Sequence, residues 1–202
     1  MNRREASKKE TRKLILKAAR RLFRKKGVEQ CTMRAVAKEA GVSAATVILH
    51  FRSKISLLEV AITEDIDQAL RDARATMPEK AGLLDRLMHI PGAMFSFYDT
   101  DRELYRSLIR NTVFEPEQDN PRITEQLHEY LSYLVQMIEQ EKKAGTVLKE
   151  IDPDIAVSCI GALYIGVLIR FFRNPEITPR MAAEMLRGMK AQYLRGILTR
   201  KG

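Results

Sequence analysis

Apolar residues recur at three- and four-residue intervals along nearly the whole chain, and no run alternates with the period of two that marks a strand. Ser7-Lys8-Lys9-Glu10 is a capping-box pattern, after which Leu14, Ile15, Ala18, Ala19, Leu22 and Phe23 mark one helix face and Gly27 follows as a stop. Thr32 caps a short helix from Met33 to Ala40 that Gly41 ends, and Ser43 caps another from Ala44 to about Phe51. Ser53 and Lys54 open a fourth helix carrying Ile55, Leu58, Ile62, Ile66 and Leu70, and the stretch from Met77 to Gly82 breaks the pattern. A fifth helix follows, in which Pro91-Gly92 predicts a kink, and Thr100-Asp101-Arg102-Glu103 caps a sixth. Asn120-Pro121, Asp152-Pro153 and Thr178-Pro179 each begin a helix with proline at its first position, where the missing N–H costs nothing. The expectation is an all-α chain of about nine helices.

Charge divides this chain unevenly. Residues 1–60 hold 16 basic and 5 acidic side chains, whereas residues 61–202 hold 19 and 21, so the formal net charge of +9 resides in the amino-terminal end. Such a segregated cationic head is suited to a polyanion. The two cysteines, Cys31 and Cys159, are too few for a disulfide framework or a cysteine-based zinc module. The first residues lack a signal-peptide pattern, and the longest uncharged stretch, Ile155–Ile169, is 15 residues against the roughly 20 that a membrane span requires. A soluble, cytoplasmic protein with no membrane partner is expected.

Within the head, Val36, Ala37 and Ala40 form the inner face of one short helix, and Val47 and Phe51 that of the next. Gly41 supplies the positive φ of a three-residue turn and Val42 fills the corner. This is the grammar of a helix-turn-helix that offers its second helix to a major groove. The chain here resembles the TetR family of bacterial regulators, through Thr11-Arg12-Lys13-Leu14-Ile15-Leu16-Lys17-Ala18-Ala19, Leu22-Phe23, Gly27, Thr32-Met33-Arg34, Val36-Ala37, Ala40-Gly41-Val42-Ser43, Thr46, Phe51 and Ser53-Lys54. The match is specific over about residues 11–60 and elsewhere extends only to length and helix count. It implies an amino-terminal domain of residues 1–52, with three helices forming the DNA-binding module, and a helical effector-binding and dimerisation domain of residues 53–202. By the same resemblance Thr32, Arg34, Ser43, Thr46, His50 and Lys54 are expected to contact double-stranded DNA. Ala44 is expected to join them, and helical phase adds Ala45, Ile48 and Leu49 to the groove-facing surface. The family usually carries an aromatic residue at the position of Ile48 and often a polar one at that of Leu49. Three apolar residues here forgo bidentate hydrogen bonds to bases, leaving contact with thymine methyl groups, Arg34, flanking lysines and DNA shape. The arm of Arg3, Arg4, Lys8, Lys9, Arg12 and Lys13 either follows phosphates or is a solvated terminus, and Arg24-Lys25-Lys26 suits a helix C-terminal dipole.

The middle helices supply large adaptable side chains, which are ordinary core when taken singly. The resemblance implies that as a group they surround an effector pocket, for which Met88, Met94, Phe95, Tyr98, Tyr105, Phe114 and Tyr130 are the candidates. With no charge cluster among them, a lipophilic or aromatic small-molecule effector is expected. The eighth helix is apolar nearly all round and the ninth adds a methionine-rich face. Two copies packed as a four-helix bundle would cover both, with Gly161, Tyr164, Ile165, Leu168, Met185, Met189 and Tyr193 in the homodimer interface.

Enzyme chemistry finds little support. Glu125 and His128 have the Glu-x-x-His spacing of di-iron bundles without the second copy such sites need, and Asp85 and His89 share a helix face without further ligands. No glycine-rich phosphate loop is present, His50 has no orienting third group beside Ser43 and Thr46, and no cofactor is expected. Two readings remain: a homodimeric, ligand-released repressor on a palindromic operator, and a helical-bundle metalloenzyme or small-molecule carrier with a basic head. Salt-sensitive DNA affinity favours the first and bound iron or zinc the second.

Overall fold

The computed structural model describes residues 3–114 and 121–197, without the side chains of residues 3, 4, 64, 111–114 and 121–123. Among these residues the regular structure is entirely helical: α1 (Arg3–Gln30), α2 (Met33–Ala40), α3 (Ala44–His50), α4 (Lys54–Ala75), α5 (Leu83–Asp99), α6 (Arg102–Phe114), α7 (Pro121–Lys143), α8 (Pro153–Arg173) and α9 (Pro179–Ile197). The all-α expectation holds. Two compact units emerge. One takes in α1, α2, α3, α4 as far as Asp67, and α6 with the start of α7; the other takes α4 from Gln68, α5, and α7 from Gln126 through α9.

In the first unit, Ile15, Ala19 and Phe23 of α1 are buried with Val36, Val47, Phe51, Leu57, Leu58 and Leu108. Polar ties surround that core. Arg20 donates to the Ala61 carbonyl and Arg24 to Asp65 at 3.2 Å, both on α4, and Arg110 of α6 pairs with Glu29 at 2.6 Å. Arg24 therefore meets a carboxylate rather than only the C-terminal dipole expected of it. The α1 capping box also fails: the helix is already formed at Ser7, whose carbonyl accepts from the Thr11 hydroxyl at 3.0 Å, so the earlier turn extends it past the pattern. Gly27 bends the chain within α1 (φ 76°, ψ 160°).

In the second unit, Leu83 and Leu87 of α5, Leu134, Met137 and Ile138 of α7, Val157 and Ile160 of α8, and Leu194 and Ile197 of α9 form one core. The helix starts follow the sequence closely. Asp152 caps α8 by accepting from the amides of Asp154 at 2.9 Å and Ile155 at 3.0 Å, with Pro153 next, and Thr178 accepts from Met181 at 3.2 Å before Pro179. Gly145, at φ 75°, closes α7. Pro91 lies inside α5, which continues from Leu83 to Asp99. Helix α8 is long and apolar enough by length and composition to cross a membrane, yet Val157, Ile160, Val167, Leu168, Phe171 and Phe172 are buried within this unit.

Candidate functional site

The first candidate surface is built by two capped helices and the turn between them. Thr32 Oγ1 accepts from the Ala35 amide at 3.1 Å and opens α2, and Gly41, at φ 68°, ends it. The Val42 amide returns to the Ala37 carbonyl at 3.0 Å, closing the turn. Ser43 Oγ then accepts from the Thr46 amide at 3.0 Å and lies 2.8 Å from the Thr46 hydroxyl, so both hydroxyls are fixed at the start of α3. Val47 and Phe51 are buried, which turns Ala45, Ile48 and Leu49 outward; Ile48 is 57% and Leu49 81% exposed. An isoleucine and a leucine left this bare on a seven-residue helix gain nothing for the fold. Arg12 stacks over the Phe51 ring, 4.6 Å from its centroid, bringing a guanidinium from α1 to the end of α3. Burial and the neighbouring Lys8 and Arg12 charges lower the His50 pKa, so His50 presents a neutral imidazole at neutral pH. Lys54 begins α4 with Nζ 3.3 Å from the Glu29 carbonyl.

The second unit contains a half-open cavity of about 760 Å³. Its wall comes from Pro91 of α5, Leu127, Tyr130, Leu131, Leu134 and Val135 of α7, Val157, Ile160, Gly161, Tyr164 and Ile165 of α8, and Lys190 of α9, with His128, Ser132, Gln136, Asp154 and Ser158 as the other polar lining. Tyr164 also stacks edge-on against Phe95, at 5.6 Å between centroids, and shares a hydroxyl hydrogen bond with Tyr98. Burial raises the Tyr98 phenol to about 12 and also holds the Tyr164 and Tyr130 phenols well above the usual value, so all three are neutral hydrogen-bonding groups. Lys190 is 1% exposed, and its Nζ donates to the Leu87 carbonyl at 2.8 Å. Burial alone brings its pKa down to about 7.

Comparison with known proteins decides what this head is. A family model described as bacterial regulatory proteins of the tetR family matches residues 15–61, the segment that contains α2, the turn and α3. Residues 15–61 thus form a head of the TetR type. The chain is 26% identical to the HTH-type transcriptional regulator UidR of Escherichia coli (strain K12) over 192 residues, covering 94% of this chain and 93% of that one. It is 28% identical over 190 residues to the HTH-type transcriptional repressor BepR of Brucella suis biovar 1 (strain 1330), covering 91% and 77% of the two chains. The crystal structure of Thermus thermophilus FadR, a TetR-family repressor in complex with lauroyl-CoA, shares the fold at a TM-score of 0.72, with 19% identity across 95% of this chain and 97% of that one. A chain with this head and these relatives is a DNA-binding transcriptional regulator and not an enzyme.

Within this TetR head the expected DNA-contacting residues fall on one stretch from α2 to the start of α4. Thr32, Arg34, Ser43, Ala45, Ile48 and Leu49 are exposed, and Ala44, Thr46, His50 and Lys54 are half-buried. Ser43, Thr46 and Lys54 each have an internal partner as well. The side chains of Arg3 and Arg4 lie outside the described residues.

The residues expected around an effector divide with respect to this cavity. Of Met88, Met94, Phe95, Tyr98, Tyr105, Phe114 and Tyr130, only Tyr130 lines the cavity. Met88, Met94, Phe95 and Tyr98 are buried on the inner side of α5, where Phe95 also meets Phe171 at 5.4 Å and Tyr98 meets Phe172 at 5.7 Å. Tyr105 is buried in the first unit, and the Phe114 side chain lies outside the described residues. Bulk and adaptability in the sequence select core as readily as wall. The wall residues that the sequence did not single out are Leu127, Leu131, Leu134 and Val135 of α7, Val157 and Ile160 of α8 and, above all, Lys190 of α9.

The expected interface residues divide in the same way. Met189 is exposed, and Met185 and Tyr193 are half-buried on α9. Leu168 is buried in its own subunit beside Val167, and Gly161, Tyr164 and Ile165 line the cavity, because the inward side of α8 runs through Val157, Ile160, Tyr164 and Leu168. The outward row is Ile155, Ala162, Gly166 and Ile169, accompanied on α9 by Met181 and Met189. Among the metal candidates, Asp85 pairs with Arg187, and His89 Nε2 lies 2.8 Å from the Ala73 carbonyl and 3.0 Å from the Thr76 hydroxyl. No metal-holding group of three His, Cys, Asp or Glu occurs among the described residues.

Proposed function

We propose that this protein is a homodimeric repressor that binds a palindromic operator and leaves it when a lipophilic or aromatic effector fills the α7–α8–α9 cavity. The observation that carries the reading is the exposed Ile48–Leu49 pair on a capped α3 beneath a strongly cationic head. Apolar groups there suit thymine methyl groups, and the surrounding cations suit phosphates. Two subunits related by a two-fold axis would present two α3 helices to half-sites about 34–36 Å apart, or a multiple of that. The outward row of α8 and the methionines of α9 support the dimer, since apolar side chains of this density on two neighbouring helices are stabilised by burial. Repression and a cytoplasmic site of action accord with the likeness to BepR and UidR.

The cavity supports effector control for a different reason. Its volume lies in the range of small-molecule sites, and Tyr164 belongs both to its wall and to the Phe95–Tyr98 cluster of α5. A ligand that moves Tyr164 thus disturbs α5 directly.

The test is binding of an inverted repeat selected from the protein's own upstream region, followed by anisotropy as salt is raised. Specific binding of two subunits per repeat, weakening steeply with salt, is expected. Equal competition by random duplex would overturn the operator reading, and bound iron or zinc without DNA affinity would favour a metalloenzyme.

A further inference from the structure

Lys190 is the feature that the effector reading leaves unexplained. It is fully buried, it forms part of the cavity wall, and its Nζ has one partner among the described residues, the Leu87 carbonyl. Among the described residues no carboxylate pairs with it. Asp154, the acidic residue of the wall, is exposed in the first turn of α8 and contributes nothing to the Lys190 charge. The nearby carboxylates of the same helices are engaged elsewhere, Asp85 with Arg187 and Glu141 with Arg86. A carbonyl acceptor can be satisfied by a neutral donor, so hydrogen bonding to Leu87 does not account for a cation at this position. A buried ammonium without a counter-ion is costly, and that cost falls when a ligand supplies the missing negative charge.

We infer that the cavity takes an anionic, largely apolar small molecule, whose acidic group lies against Lys190 and whose body lies along Leu131, Leu134, Ile160 and Tyr164. This rests on the effector reading above and narrows its ligand from any lipophilic compound to an organic acid. The apo ammonium is half-ionised near neutral pH, and an anion beside it draws the proton on. The selectivity therefore belongs to the charge and the apolar wall together.

Two dyes with one aromatic skeleton test it: 8-anilinonaphthalene-1-sulfonate, which is anionic, and N-phenyl-1-naphthylamine, which is neutral. Titrations of the full-length protein at pH 6.5 are expected to give the sulfonate a Kd at least about tenfold below that of the amine, equivalent to about 1.4 kcal/mol. In Lys190→Met the two constants should come within about threefold, with the amine's constant unchanged. Lys190→Gln, which keeps a donor for the Leu87 carbonyl, serves the same purpose if the methionine variant does not fold. Equal binding by the wild type overturns the inference, as does an anion preference that survives both substitutions, which would then belong to the basic head. If neither dye binds, the effector cavity itself is wrong. If the amine binds and the sulfonate binds no better, the cavity stands and only the anion is lost.

Discussion

Lys190 Nζ donates at 2.8 Å to the Leu87 carbonyl oxygen, the acceptor that an amide at residue 91 would serve in an uninterrupted helix. Residue 91 is proline and has no N–H. The side chain of α9 thus replaces a backbone donor missing from α5, and the break in α5 and the buried cation become one arrangement on the cavity wall.

The charge in that arrangement opposes folding. The unfolded chain holds the Lys190 proton up to about 10.5 and the folded chain only to about 7, so between these values the unfolded state binds more protons and stability rises with pH. Below about 7 both states are charged and the full penalty remains. Lys190→Met is therefore expected to raise stability by roughly 1–4 kcal/mol at pH 6, less the lost hydrogen bond, with the gain shrinking toward pH 10. The groups near it, His128 and Tyr130 of α7, Asp154 and Tyr164 of α8 and the Asp85–Arg187 pair, are present in both proteins and cancel in the difference. Urea melts of both proteins across pH 6–10 measure it, and a pH-independent difference would contradict it.

Pro91→Ala returns an N–H to α5 and competes for the same carbonyl. The effect of Lys190→Met should then be more favourable in the Pro91→Ala background than in the wild type, by about 1 kcal/mol of coupling. A double-mutant cycle by urea denaturation reads this directly, and additive effects would show that the two positions act independently.

Gly41 is open on the side a Cβ would occupy, so its constraint is the backbone alone, at φ 68°. Gly41→Ala should cost roughly 1–2 kcal/mol, Gly41→Val more and Gly41→Asn least, because asparagine tolerates the left-handed region. Thermal melts give the order, and any other order would place steric contact above backbone conformation.

The helix order, the capped turn of the head and the proline-led starts of α8 and α9 were legible because each depends on residues adjacent in sequence. Thr32, Gly41, Ser43 and Asp152 act within three or four positions of themselves. The cavity was not legible, since its wall depends on how α5, α7, α8 and α9 are phased. Phe95 is as apolar as the wall it was expected to form, and Leu168 as the interface it was expected to join, and only packing turns them inward. Tyr105 shows the same limit across units, because chain order put it beside the α5 aromatics whereas contacts put it with the head. Lys190 was passed over on a helix taken as an apolar interface.

On α3 the apolar and cationic parts of the surface should separate experimentally. Leu49→Ala and Ile48→Ala remove contact area without charge, so they should reduce the preference for operator over random duplex by about 1 kcal/mol each and leave the salt slope unchanged. Lys54→Ala should weaken binding to all sequences alike and reduce the slope by about 1, unless its bond to the Glu29 carbonyl keeps it from phosphate, in which case the slope stays and only stability falls. Ala45→Asp brings a carboxylate to the groove and should abolish binding. Anisotropy across a salt series distinguishes these outcomes, and unchanged operator affinity in Ala45→Asp would move the docking surface away from α3.

A charge set into the outward row of α8 tests the dimer without touching the core. Ala162 is exposed, flanked by Gly161 and one turn from Gly166, so a glutamate there meets solvent in a free subunit and the subunit should keep its helix content and melting temperature within about 0.5 kcal/mol. In a two-fold pair the same glutamate lies close to its own symmetry mate or to the partner's apolar row, and an unpaired buried carboxylate costs several kcal/mol. Ala162→Glu should therefore scatter light as a single subunit, lose the affinity that comes from binding two half-sites at once, and bind one half-site as weakly as the wild type does. Met189→Glu, placed on the α9 side of the same face, should do likewise, whereas Arg173→Glu, beyond the end of the apolar row, should not. A folded, dimeric Ala162→Glu protein with full operator affinity would exclude this row of α8 from the interface and leave the two-fold pairing of the heads to be explained by some other surface.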